Sequence, residues 1–199
     1  MTELGSVTDI RMGATLRGRD ATRPVPNGRF RFIRIGDISH DGQLLTDDFE
    51  RIDPNESISA KLLIRPGDVL FPNRGVRTTA CVFNLNYPDA LAGAQFFILR
   101  PAPKVLLPEY LAWYLRSDEA ARHFDERRTG TLVKIIQSDA LKTLCIPLPP
   151  LETQQKIVEI SRLQLSERDL MAKIAPLRAR LINTKLTLAA KNLTPLPRQ

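Results

Sequence analysis

The chain has 199 residues, 43% hydrophobic and 26% charged, and a formal net charge of +7. That is enough to bury one good core with an appendage, but hardly two full-sized cores. With a pI near 9.8 it favours a polyanionic partner, though basicity alone says nothing about sequence-specific recognition. No apolar run approaches the roughly 20 residues that span a bilayer, and Met1-Thr2-Glu3-Leu4-Gly5 lacks the pattern of a secretory signal. A soluble, cytoplasmic protein with no membrane partner is expected.

In chain order, short strands punctuated by turns are predicted up to about Leu106, at 32–35, 62–64, 69–71, 80–83 and 96–99. Arg65-Pro66-Gly67-Asp68 reads as a turn, with Pro66 presetting φ and Gly67 accepting a positive φ. Leu107-Pro108-Glu109 opens a helix with Leu111, Tyr114 and Leu115 on one face, and Ser117 is placed to cap a second short helix through Phe124. Cys81 and Cys145 sit in apolar runs without a CxxC pattern or a nearby His, so both are expected to be buried, inert thiols. The fold class is α+β, a strand-rich domain followed by a long helix.

From Leu144 to Ile160 the chain reads Leu-Cys-Ile-Pro-Leu-Pro-Pro-Leu-Glu-Thr-Gln-Gln-Lys-Ile-Val-Glu-Ile. Pro147, Pro149 and Pro150 end a strand and force extended backbone, and Pro149 or Pro150 can occupy the first turn of the helix that follows. Beyond it, Ile160, Leu163, Glu167, Leu170, Ile174, Leu177, Leu181, Thr184 and Leu188 are spaced alternately by three and four, and seven of the nine are apolar. Sustained for so long, this is the stripe of a coiled-coil seam. The boundaries expected are a domain over 1–150, a helix over 151–192 and a disordered tail over 193–199. Such a helix runs about 60 Å at roughly 1.5 Å per residue and cannot cover its own stripe, so it calls for a partner helix from a second copy or another subunit. Pro176 removes the bond to the Ala172 carbonyl, at about 3 kcal/mol, and allows a kink or a helix-turn-helix.

Charge is unevenly distributed. Arg11, Arg17, Arg19, Arg23, Arg29, Arg31 and Arg34 face only Asp20, whereas Asp37, Asp41, Asp47, Asp48, Glu50, Asp53 and Glu56 face a lone Arg51. An electrically two-sided domain is expected, with one face able to approach DNA. Asn73 and Arg74, with Arg77 after them, supply adenine-type and guanine-type hydrogen-bonding groups in a turn-rich loop, and Arg127, Arg128 and Lys134 flank Thr129-Gly130-Thr131. The planar guanidinium suits bidentate contact with phosphates and guanine edges. The residues expected to contact DNA are therefore Arg17, Arg19, Arg29, Arg31, Asn73, Arg74, Arg77, Arg127, Arg128 and Lys134.

Catalytic constellations are missing. There is no G-x-G-x-x-G, no P-loop and no Asn/Asp-Pro-Pro-Tyr/Phe segment, and Asn86-Tyr87-Pro88 does not match the last of these. His40 and His123 stand alone, and Asp47-Asp48 lacks the lysine pattern of a nuclease. No cofactor or metal is expected.

The Leu144–Ile160 segment resembles the Ile-Pro-Leu-Pro-Pro-Leu-x-x-Gln segment that joins globular domain to spacer helix in specificity subunits of type I restriction-modification enzymes. Leu4–Ile10 is similar to the opening of a target recognition domain in that family, and Ile33–Ile38 to its first inner strand. Pro66–Phe71 followed by Arg74-Gly75 is similar to its Gly-Asp-Ile/Val-Leu turn, and Tyr110–Leu115 and Gly130–Leu141 to its helix and Gly-containing loop. The resemblance implies a non-catalytic subunit whose first 150 residues read one half of a bipartite duplex target and whose helix docks DNA adenine methyltransferase subunits, with restriction subunits as further partners. Family members usually carry two recognition domains and two spacer helices, and an acid where this chain has Thr153. One domain and one helix imply a half-length form completed by antiparallel homodimerisation through Ile160, Leu163, Leu170, Ile174, Leu177, Leu181 and Leu188. The competing reading is a coiled-coil adaptor with non-specific nucleic-acid affinity.

Overall fold

A computed structural model describes residues 1–18, 21–74, 79–127 and 135–192. Its elements are β1 (Thr2–Glu3), α1 (Leu4–Val7), β2 (Thr8–Met12), β3 (Phe30–Ile33), β4 (Arg51–Ile52), β5 (Asp68–Pro72), β6 (Cys81–Phe83), β7 (Ala90–Ala92), β8 (Phe96–Pro101), α2 (Pro108–Leu115), α3 (Asp118–Arg127), α4 (Ser138–Lys142), β9 (Cys145–Ile146) and α5 (Leu151–Asn192). The four-stranded sheet has the order β2-β8-β5-β6, and β4-β3-β7 and β1-β9 form smaller ones. This is the expected α+β class with a long C-terminal helix.

Side-chain alternation along β5 and β8 divides the interior. Val69, Phe71, Phe97 and Leu99 point to one face, where Leu111, Leu115, Phe124 and Leu141 of the helices cover them. Leu70, Phe96 and Ile98 point to the other, against Ile33, Ile64, Ala90 and Ala92. Successive strand residues face opposite sides, so a strand apolar at every position must be covered on both. The Arg65–Asp68 turn forms as expected, with Gly67 at φ +90° and the Asp68 amide bonded to the Arg65 carbonyl at 3.0 Å. The Asp68 carboxylate then receives Arg100 Nε at 2.7 Å and Nη2 at 2.6 Å, which ties β5 to β8 and raises the pKa of Arg100 through that hydrogen-bonded pair.

Ser117 accepts from the Ala120 amide at 3.2 Å and begins α3. Phe32 lies in β3, but the strand ends at Ile33 and Ile35 opens a 3-10 turn; Leu62 likewise closes a 3-10 turn, Ala60–Leu62, where a strand was expected. Of the cysteines, Cys81 is buried and Cys145 is exposed, a correction that the two-residue strand β9 explains: alternation turns Ile146 inward and Cys145 outward.

The root of α5 is bonded into the domain. Pro150 stands just before the first turn, and its carbonyl accepts from the amides of Thr153 and Gln154 at 2.9 and 3.1 Å. Gln154 is fully buried: its Oε1 accepts from the Leu107 amide at 2.9 Å, and its Nε2 donates to the carbonyls of Val105 at 2.8 Å and Pro149 at 2.9 Å. Tyr110 and Tyr114 donate to the carbonyls of Pro147 and Cys145. Ile157 and Val158 pack on the same core, so the compact unit reaches Val158 and a second begins at Glu159.

The helix is uninterrupted at Pro176, so the helix-turn-helix allowed by the sequence does not form. Its seven seam side chains from Ile160 to Leu188 are 42–66% exposed. Met171, Ile182 and Leu186, outside the expected series, are exposed as well. No described helix is long and apolar enough to cross a membrane.

Candidate nucleic-acid interface

β2 and β5 both pair antiparallel with β8, so they run in the same direction and end at the same edge of the sheet, where β8 begins. Met12 and Phe71 both sit opposite Phe97, and Pro72 sits opposite Phe96. The parallel pair β3-β7 finishes at the same place, with Ile33 opposite Ala92, the Gly93 amide bonded to Ile33 O, and Ala14 bridged to Gly93. The residues that follow β2, β3, β5 and β7 therefore converge. Gly13 must be glycine here, because a Cβ would stand 2.2 Å from the Gly93 carbonyl oxygen.

These segments surround a cleft of about 350 Å³ lined by Thr15, Thr22, Arg34, Arg74 and Gln95 among others. Arg74 is exposed, and its backbone bridges to Ile135. Arg34 is partly committed, with Nη2 donating to Thr22 O at 2.6 Å, an ion pair to Glu50, and its guanidinium 5.5 Å from the Phe32 ring. Thr15, Thr22 and Gln95 were not among the expected contacts, since convergence of distant strand ends leaves no local sequence signal; Arg34 belongs to the arginine-rich stretch but was not among them either. Guanidinium and carboxamide groups at one opening suit guanine and adenine edges respectively.

The expected contact residues divide accordingly. Arg17 is exposed just beyond the cleft residue Leu16, its backbone amide held by Glu56 at 2.7 Å. Arg29 is paired with Asp53, and Arg31 lies 2.5 Å from Asp89 and 4.0 Å over the Tyr87 ring; both stand at the start of β3, three to five residues from Arg34. Arg127 ends α3 beside Glu126 at 3.2 Å. Asn73 is only 4% exposed and faces inward, so it does not present the base-reading carboxamide that the sequence suggested. Arg19, Arg77, Arg128 and Lys134 lie outside the described residues.

Part of the expected charge segregation is cancelled by ion pairs within the domain. Antiparallel pairing of β3 with β4 lays the acidic stretch along the arginine stretch, so Asp53 pairs with Arg29 and Glu50 with Arg34, while the parallel β3-β7 pair brings Asp89 to both Arg31 and Arg51. Residues segregated along the chain are in these cases paired in space. No group of three or more His, Cys, Asp or Glu able to hold a metal occurs among the described residues.

The family model for the type I restriction modification DNA specificity domain matches residues 1–172, and the chain belongs to that family. The family's specificity subunits are non-catalytic. The type I restriction enzyme HindI specificity subunit of Haemophilus influenzae is 32% identical over 105 residues, covering 51% of this chain and 23% of that subunit. Among solved structures, a chain from work on complex assembly and conformational transition of the type I R-M system matches with a TM-score of 0.68 and 26% identity, over 96% of this chain and 44% of that one. The HsdS subunit of Thermoanaerobacter tengcongensis matches with a TM-score of 0.65 and 26% identity, over 96% and 43%. The chain thus spans less than half the length of either.

Proposed function

We propose that the chain is the sequence-reading component of a type I restriction-modification system, in which residues 1–150 read one half of a bipartite duplex target at the cleft edge. The observation that carries this is the convergence of four strand ends around Arg34, Arg74 and Gln95, within a chain of the specificity family. Arg74 and Gln95 are the candidate base readers, and Arg17 a candidate phosphate contact. The helix docks the adenine methyltransferase subunits, which with the restriction subunits supply all the chemistry, so this chain holds no cofactor.

The same helix pairs antiparallel with a second copy. Its exposed seam needs a cover, and its charge supports the orientation. Residues 151–169 hold four acids and three bases, whereas 170–192 hold Lys173, Arg178, Arg180, Lys185 and Lys191 and no acid. A parallel pair sets the basic halves side by side; an antiparallel pair sets each against the more acidic half. Identical halves then read an inverted repeat with a fixed spacer.

The test is selection of duplexes from a randomised library by the intact chain, followed by affinity measurements on selected and scrambled duplexes across salt, with the mass of the complex from light scattering. A selected inverted repeat bound by two copies is the expected result; a strict monomer on DNA overturns the dimer. The adaptor reading draws on the ion pairs of Arg29, Arg31 and Arg51 with Asp53 and Asp89, which commit three of the domain's arginines internally. It requires that no sequence emerge and that all binding vanish in modest salt.

A further inference from the structure

The buried Asn73 is unusual in how many segments one residue ties together. It stands at the end of β5, immediately before Arg74. Its Nδ2 donates to the Ala94 carbonyl at 2.7 Å and lies 3.0 Å from Met12 Sδ at the end of β2. Its backbone amide donates to Gln95 O at 2.9 Å, and its carbonyl accepts from the Ile136 amide at 2.9 Å. One residue therefore fixes the ends of β2 and β5, the turn that leads into β8, and the segment at Ile135–Ile136. On either side of this knot stand Arg74 and Gln95, which both line the cleft.

The carboxamide is not needed to fill space. Its Oδ1 is buried with no hydrogen-bond partner among the described residues. An aliphatic side chain of similar volume fills the same pocket without that orphan acceptor. What an aliphatic side chain cannot do is donate to Ala94 and so set the distance between the 93–95 turn and the end of β5. With Nδ2 facing a carbonyl, the orientation of the amide is fixed by the network.

We propose that Asn73 is a positioning residue for sequence readout, holding Arg74 and Gln95 at a set separation so that discrimination between sequences depends on it while phosphate affinity does not. This rests on the functional reading above. Readout through paired side chains demands placement to within about half an ångström, whereas phosphate attraction tolerates displacement.

The experiment uses the intact chain, a duplex it has selected from a randomised library, and a scrambled duplex of the same composition. Asn73→Leu is expected to lower the ratio of selected to scrambled affinity about tenfold, with scrambled affinity and the salt slope unchanged. Acting through Arg74, it is expected to lose most of that effect in an Arg74→Ala background. If thermal melting shows that Asn73→Leu does not fold, Asn73→Ala, uncharged and without the amide donor, carries the same comparison. Equal losses on both duplexes, a neutral Asn73 variant, or the same loss with and without Arg74 overturns the positioning role while leaving DNA reading intact. If the wild-type chain selects no sequence, the functional reading fails and the positioning role falls with it.

Discussion

Before Val158, large apolar side chains such as Phe71, Phe97, Leu111 and Phe124 are at most 2% exposed, whereas beyond it Ile160, Leu163, Leu177 and Leu188 stand 55–66% exposed in a helix of the same chain. The domain covers its own apolar surface on both faces of the central sheet. The helix has a stripe with nothing of its own to lay against it. Stability in the first region is a property of the chain; under the proposed pairing, stability in the second is a property of the assembly.

The contrast breaks most severely if the stripe is charged. Leu170→Lys combined with Leu177→Lys removes four leucines from a symmetric pair, each contributing about 1.5–3 kcal/mol. Self-association is expected to weaken at least about a thousandfold by sedimentation equilibrium, with the domain's urea midpoint unmoved. Conversely, Phe71→Ala, which strips a core ring packed 5.1 Å from Phe124, is expected to cost about 3–5 kcal/mol in urea unfolding and leave association of the folded protein intact. Gln154→Ala strikes the junction: the amide of Leu107 and the carbonyls of Val105 and Pro149 lose their partner, for about 2–4 kcal/mol, read as faster hydrogen exchange in the first two turns of α5.

The smallest effect is one of pH. Burial pushes the Cys81 thiol up to about 12, so it stays protonated in the fold while the unfolded thiol ionises from about pH 9. The stability it contributes is complete below pH 9 and is lost as pH rises toward 12, at about 1 kcal/mol per unit. Cys81→Ala is expected to flatten the decline between pH 9 and 10, measured by urea unfolding at each pH. Exposed Cys145 is expected to react with a thiol reagent at pH 8 in the folded protein, and Cys81 only on unfolding.

What was legible in the sequence was local or periodic. The Arg65–Asp68 turn, the Ser117 cap, the proline stop before Leu151 and the three-four stripe each depend on residues a few positions apart. Strand β2 carries only Ile10 and Met12 as apolar residues, and its place comes from pairing with β8 nearly ninety residues later, so nothing near it in sequence announces it. Arginine pairing failed for the same reason: Arg31 meets Asp89 and Arg29 meets Asp53 only because β3 lies between β4 and β7. Arg74, expected as a DNA contact, and Gln95, which was not, both line the cleft: the first sits in a recognisable turn-rich loop, whereas the second is a turn residue brought there by its hydrogen bond to the distant Asn73 amide. Asn73 was noticed as a polar loop residue, but its burial follows from Met12 and Ala94, which sequence proximity does not connect to it.

The proline inside α5 removes one hydrogen bond from a helix that is otherwise continuous. With no N–H at Pro176, the Ala172 carbonyl lacks its intrahelical donor, at about 3 kcal/mol, and the 16 residues beyond it are near the length at which a lone helix is marginal in water. Under the proposed pairing, helicity in that distal segment reads occupancy: its amides are expected to exchange at rates that fall as protein concentration rises, while those before Pro176, continuous with the bonded root, change less. With that pairing, folding of the last four turns and recognition of the second copy form a single coupled equilibrium.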